Sequence, residues 1–380
     1  MEKWKKLIIT VLVAFAGGCC IYLFYNQALG VFPSDLGAHI AAALDSGNLQ
    51  YTITKPVFRF VFRYMGGNLG IAVFLSAIIV ITFFATKRLL DFYLDYEEKD
   101  SFEIYIIAIL LNFVLAVYIP FIHGYWNVGV QEPTEWHNST YIIMKLFGMA
   151  ALLLYFKIEE KYLSGISKKD WILFCIYLTI TNSVKPNFIL AFAPAMLFFL
   201  IIDFSKHYRD RHAVANMIIF GCAVLVSLTV LLWQSYVLYG QETGDGIRIG
   251  FADMLSRWHR WPLISLIQSA AFPLFILISN IKEIFGDKKH LFAWIMNGIA
   301  LAQYLFLHEI GSRAEHGNFD FGYSFTLMLV FASSISIIYK QRKNHSRSKL
   351  YFASGYLLFT LHAAAGMIYF IKLLRGGSYY

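Results

Sequence analysis

Charge is scarce in this chain. Of its 380 residues only 15% are Asp, Glu, Lys or Arg, while 58% are hydrophobic. Soluble domains carry about 25% charged and about 45–50% apolar residues. A soluble fold of this length has too little interior for so much apolar surface, so the bilayer is expected to take part of it. Alternating strands of about ten residues are also missing, which excludes an outer-membrane barrel. No separate basic domain exists, so the net charge of +8 does not point to nucleic acid. Cysteine is limited to Cys19, Cys20, Cys175 and Cys222, all inside apolar runs. Neither a disulfide framework nor a thiolate metal site is expected from that placement. Internal repeats, low-complexity tracts and a soluble domain are absent, and residues 1–380 read as one integral membrane domain.

What the chain does have is a succession of apolar runs bounded by charges. Each is long enough for a helix to cross roughly 30 Å of hydrocarbon. They predict an all-α, polytopic membrane protein with about eleven spans, over residues 7–30, 68–86, 102–123, 139–156, 171–184, 187–204, 213–238, 262–281, 291–308, 323–339 and 350–372. The fifth and sixth are short and meet at Lys185-Pro186, which leaves open a pair of half-helices dipping from one side. The start MEKWKK and the run Ala16-Gly17-Gly18-Cys19 resemble a signal peptide and a lipoprotein cleavage site. The apolar run continues well past Cys19, which predicts an uncleaved first helix. About two-thirds of the Lys and Arg fall in alternate loops, around Lys3–Lys6, Lys87–Lys99, Lys157–Lys169, Lys206–Arg211, Lys282–Lys289 and Lys340–Lys349. By the positive-inside rule these loops and the N-terminus are cytoplasmic, and the chain is a multi-pass cell-membrane protein. They read as solvated anchors without chemistry.

The opposite loops differ in character. FPSDLGAHIAAALDSG, HGYWNVGVQEPTEWHNST, GQETGDGIRIGFADMLSRWHRW and HEIGSRAEHGNFDFG mix acids, aromatics and glycines. They hold His39, His123, His137, His259, His308 and His316, which orientation does not require. The first loop, 31–67, is too long for a turn and predicts two short helices. Pro33 stops the first span, and Ser34 or Asp35 can cap the next helix. Asp35 and His39, at i and i+4, can project together. Lys55, Arg59 and Arg63 stand opposite Val57, Phe58, Val61 and Phe62, a pattern suited to the membrane interface.

Asp35 reads either as a helix cap or as a general base. Glu132, Glu135, His137 and Asn138 suggest a divalent metal, though at no recognised ligand spacing. Otherwise Asn138 and Ser139 are capping residues and Trp136 an interface anchor. NST at 138–140 is also a glycosylation sequon, meaningful only in a eukaryotic luminal loop. Lys185, far into apolar sequence and beside Asn182 and Asn187, reads as an anion-binding group or a snorkelling side chain. Arg248, Arg257 and Arg260, interleaved with Trp258 and Trp261, suit a phosphate or anionic headgroups. Glu309, Arg313, Glu315, His316, Asn318 and Asp320 form a dense hydrogen-bonding set, as a sugar would need.

This arrangement resembles the GT-C superfamily of polytopic glycosyltransferases, which use polyprenyl-phosphate-linked sugars. Those enzymes have a cytoplasmic N-terminus, two interfacial helices in the first extracytoplasmic loop and an acidic residue just after the first span. Asp35 stands where the family's catalytic Asp would stand, and 36–65 can form the interfacial helices. SVKPNF and HGNFDFGY look like patterns in bacterial members. The paired Asp-Asp or Glu-Asp of several GT-C families has no counterpart here, so metal use and the particular family stay open.

The resemblance implies an inverting single displacement at an extracytoplasmic site. Asp35 deprotonates an acceptor hydroxyl on a glycan or lipid, Lys185, Arg313 or the arginines Arg248, Arg257 and Arg260 stabilise the leaving phosphate, and His39, His137 and His316 position substrates. Asn138, Glu309 and Asn318 join them as substrate-binding candidates. A divalent metal is possible and not required. Two alternatives stand beside this: a polymerase or ligase dependent on late-loop arginines, and a transporter or flippase, for which Lys145 and His362 are the deep polar groups.

Overall fold

The computed structural model describes residues 2–45, 52–98, 101–122, 126, 134–239, 244–258 and 261–378. The chain runs through helices α1 (Lys3–Ala28), α2 (Leu36–Leu44), α3 (Thr54–Tyr64), α4 (Gly67–Tyr93), α5 (Phe102–Leu111), α6 (Thr134–His137), α7 (Ser139–Glu159) and α8 (Lys168–Val184). It continues through α9 (Asn187–His207), α10 (Arg211–Tyr239), α11 (Asp253–Trp258), α12 (Pro262–Ser279), α13 (Ile281–Gly286), α14 (Lys288–Phe306), α15 (Asp320–Lys343) and α16 (Lys349–Leu374). Strand β1 (Gly246–Ile249) pairs antiparallel with β2 (Leu307–Ile310), Gly246 opposite Ile310 and Arg248 opposite His308.

The chain is thus a polytopic helical protein. Among the described residues eight helices are long and apolar enough to cross a membrane: α1, α4, α7, α9, α10, α12, α15 and α16. Three expected spans fall outside that set. α8 has 17 residues, α14 has 19 with several polar ones, and α5 only 10. α15 is the axis of the bundle, its most apolar stretch completely enclosed, whereas that of α1 is mostly open.

The span expected over 102–123 is a half-helix. Past Leu111 the backbone becomes irregular, and Asn112 turns its amide onto Ala108 O (2.8 Å) and Thr86 Oγ1 (3.1 Å). Irregular backbone survives in a bundle only where protein satisfies its polar groups. Here Leu115 N donates to His362 O (3.2 Å) and Val117 N to Gln268 O (3.1 Å). The His362 ring completes the junction, with Nδ1 donating to Leu115 O (2.7 Å) and Nε2 accepting from Phe272 N (3.3 Å). His362 is wholly buried, so its role is to join α16, α12 and the broken segment. His362→Phe removes the side-chain partner of Leu115 O and of Phe272 N. It is expected to destabilise the fold by about 1–3 kcal/mol for each group left unsatisfied, read as a lower melting temperature in detergent.

At the end rich in Lys and Arg, many of the residues read as solvated anchors are exposed, among them Lys161, Lys168, Lys169, Lys206 and Arg209, but others are buried or tie helices together. α4 extends beyond the expected boundary, so Lys87 lies inside it, buried, 2.8 Å from the fully buried Asp91. Asp95 bridges Lys289 (2.7 Å) and Lys340 (2.6 Å), joining the loop after α4 to α14 and α15. Asp203 accepts from Tyr162 Oη (2.6 Å) and Lys288 Nζ (2.8 Å).

Candidate functional site

The polar loops expected to carry chemistry meet at the other end of the bundle. After α1 the chain turns through Pro33, and Ser34 Oγ accepts from Leu36 N at 3.1 Å. Ser34 therefore does the capping, and the Asp35 side chain takes no part in it. Asp35 sits at the mouth of α2 with 41% of its side chain exposed.

The α6–α7 junction packs against it. Gln27 Nε2, near the end of α1, donates to Trp136 O at 2.9 Å. Trp136 is no interface anchor: it is 4% exposed, its ring 5.5 Å from Phe113 and 4.5 Å from Phe370. Fixed in this way, the next three residues face α2. His137 Nε2 lies 3.8 Å from Asp35 Oδ2. Asn138 Oδ1 caps α7, accepting from Tyr141 N (3.0 Å) and Thr140 Oγ1 (2.7 Å), while its Nδ2 reaches Asp35 Oδ2 at 3.4 Å. Asn138 is buried with both amide atoms engaged, so it is not an accessible sequon. Ser139 Oγ hydrogen-bonds His39 Nδ1 at 2.7 Å. Burial holds His39 down to about 4 on the pH scale; Asp35 opposes that, and Lys185, His137 and Lys55 reinforce it. His39 is neutral at physiological pH.

Lys185 enters from the α8–α9 junction. The end of α8 leaves carbonyls unsatisfied by its own helix, and the segment before α3 takes them up. Ile53 N donates to Ser183 O (3.1 Å) and Thr52 Oγ1 to Val184 O (3.1 Å). Lys185 thus stands beside the first loop. Its Nζ lies 3.6 Å from the centroid of the Phe321 ring and 3.5 Å from Asn318 Oδ1. A cation over an aromatic face is stabilised by the ring quadrupole. Burial, then Arg313, hold the ammonium down to about 7, while Glu309 and Asp35 pull the other way.

Its charge is therefore present below pH 7 and lost as pH rises through that value. A group titrating near 7 is roughly nine-tenths protonated at pH 6 and roughly one-tenth at pH 8. Binding of sulfate, whose charge is constant over this range, is expected to weaken by up to about tenfold between these pH values if the cation holds it. Lys185→Arg, which stays charged, should flatten the dependence in a thermal-shift titration.

The late turn completes the site. Glu309 Oε1 pairs with Arg313 Nε at 2.8 Å, and Glu309 Oε2 accepts a close hydrogen bond from Asn318 Nδ2. Asn318 O accepts from Asn187 Nδ2, which ties this turn to the start of α9. A small cleft opens beside them, lined by His308, Glu309, Asn318, Tyr304 and Phe319. On its rim Arg248 Nε donates to His308 Nε2 (2.9 Å) and Arg248 Nη2 to Asp253 (3.2 Å).

Thus Asp35, His39, His137, Asn138 and Lys185 come together, with Glu309, Arg313 and Asn318 reaching them through Lys185. Two candidates stand apart. Arg257 is exposed and donates to Ala314 O (3.2 Å), and His316 is exposed on the turn. Arg260 and Glu132 lie outside the described residues, as does the side chain of Glu135. Among the described residues no three His, Cys, Asp or Glu side chains are grouped to hold a metal, and the four cysteines are free thiols. Ser139 and Phe321 were missed by sequence reasoning. The first looked like a cap and the second was an unremarked aromatic in the polar segment 308–322, and their partners lie about a hundred residues away or more. No family model, curated protein or solved structure matches this chain.

Proposed function

We propose that this chain is a membrane glycosyltransferase of the GT-C type, moving a sugar from a polyprenyl-phosphate donor to the hydroxyl of an extracytoplasmic glycan or lipid. The observation that carries the reading is the Asp35 carboxylate. It is freed from capping by Ser34, half-exposed just past the first span, and within electrostatic reach of Lys185. A carboxylate and a cation within electrostatic reach of one another are what a displacement at an anomeric carbon requires. Asp35 takes the acceptor's proton as its oxygen bonds to the anomeric carbon. The bond from that carbon to the phosphate oxygen breaks, and the electron pair leaves on a phosphate that Lys185 neutralises. Attack opposite the leaving group inverts the anomeric configuration.

The short helices support the same reading. α3 buries Phe58 and Val61 and turns Phe60 and Tyr64 outward beside Arg63, a face suited to lipid headgroups, while Arg59 ties it to α2 through Ala43 O (2.7 Å). In this reading α5, α8 and α14 bring the membrane segments to about eleven, and the basic, ion-paired end is cytoplasmic. The test is transfer by purified protein in detergent, with a panel of polyprenyl-phosphate sugars and candidate acceptors. Release of polyprenyl phosphate with a glycosylated product supports the reading. Substrate-coupled proton flux in proteoliposomes without product would replace it with a transporter.

A further inference from the structure

His137, Asn138 and Ser139 are consecutive, and each faces a polar side chain of the Asp35–His39 pair. Asn138 does two jobs with one amide: its oxygen caps α7 and its nitrogen meets Asp35 Oδ2. The amide cannot be turned the other way. A flip would set its oxygen against the Asp35 carboxylate and its NH₂ against the Tyr141 N–H, two repulsive contacts in place of two attractive ones. The cap of α7 therefore fixes which atom Asp35 meets. At 3.4 Å the contact is long, and it has room to tighten once substrate draws the carboxylate inward.

We infer that Asn138 is a positioning residue for the proposed reaction: by capping α7 it aims an N–H at Asp35, fixes the direction of that carboxylate and leaves its other oxygen for the acceptor. The inference rests on the glycosyltransferase reading for its kinetic consequence but not for its geometry. Ser139 orients the His39 ring in the same way from the next position. The other groups around the carboxylate are His39 on its own helix, His137 from α6 and Lys185 from the α8–α9 junction, with Lys55 of α3 acting on His39.

Asn138→Asp separates positioning from folding. Asp caps a helix as well as Asn, and a negative charge is favoured at a helix N-terminus, which offsets part of the repulsion from Asp35, so the fold should still melt cooperatively, at a somewhat lower temperature at neutral pH and nearer wild type in acid. At Asp35, however, an N–H donor becomes a carboxylate oxygen, and two such groups this close share a proton. Turnover is expected to fall at least tenfold at neutral pH, mainly in kcat, with the optimum moved to higher pH. Asn138→Ser keeps the cap and withdraws the N–H from Asp35 by shortening the side chain without adding charge, and is expected to lose less turnover and keep the optimum.

The deciding measurement does not depend on knowing the substrate. Carbodiimide labels the protonated carboxyl, and Asp35 labelling by peptide mass spectrometry can be followed from pH 4 to 8. In Asn138→Asp its midpoint is expected to rise by at least one pH unit over wild type, and in Asn138→Ser by much less. A midpoint unchanged in Asn138→Asp, in protein that still melts cooperatively, overturns the inference whatever the activity shows. A shifted midpoint with no wild-type turnover on any donor upholds Asn138 as Asp35's partner and counts against the glycosyltransferase reading alone.

Discussion

Asp35→Asn is expected to lower sugar transfer by about 10²- to 10⁴-fold, the range lost with a general base. Asn has the same shape, so His137 and Asn138 keep a neighbour in place, but its amide oxygen cannot take a proton at neutral pH. The fold should not notice: Ser34 holds the helix start, and the Asp35 side chain caps nothing. Melting temperature and the KM for donor are therefore expected to stay near wild type while kcat collapses. Loss of kcat alone is what an interaction made only in the transition state gives. Turnover surviving in Asp35→Asn would remove this carboxylate from the chemistry and move attention to Arg257 and the segment after β1.

The largest expected effect on stability lies outside that site, behind the ring of Trp136. A Cβ at Gly366 would sit 1.4 Å from Phe113 O and 2.6 Å from Phe113 C, so Gly366→Ala cannot be absorbed by rotating a side chain. Either α16 or the irregular segment must move, and with it the His362–Leu115 junction. Overpacking costs about 1–3 kcal/mol and occasionally more. A backbone atom as the obstacle puts this substitution at the upper end or beyond. Gly18→Ala is the control, since among the described residues nothing lies within 4 Å of its added methyl, and it is expected to be neutral or slightly stabilising. Equal melting of Gly366→Ala and wild type would mean that α16 does not press on residues 113–115 as described.

The long spans were legible because length and apolar composition are the physical requirement for crossing a bilayer. The break after Leu111 was not. Residues 104–119 are almost wholly apolar, with Pro120 the first proline, and the signal that stops the helix lies in partners more than 150 residues later, His362 and Gln268. The first loop was read well at the level of residues: Asp35, His39 and both short helices stand where the pattern placed them. What the pattern left undecided was the division of labour between Ser34 and Asp35, since either can cap, and only geometry shows which one does. Lys185 was visible as a costly charge in apolar sequence, but the Phe321 ring beneath it was one phenylalanine among 35. Within the charged loops only Lys87, Lys288, Lys289 and Lys340 were misjudged, because a Lys that pairs in the bundle and one that faces water look alike along the chain.

The enclosure of α15 has one more consequence. Its hydropathy marks it as a span, yet its medium is other protein rather than lipid. Ser333, Ser334 and Ser336 are small as well as polar, and they sit at 1% exposure or less inside the bundle. On the outward face of α1, where Val11 and Phe15 are exposed, a leucine in place of a small residue would dissolve in acyl chains without penalty. On α15 the same gain in hydrophobicity would overfill a solid. Mutational tolerance along this helix therefore follows side-chain volume, and a hydropathy scale ranks its substitutions in the wrong order.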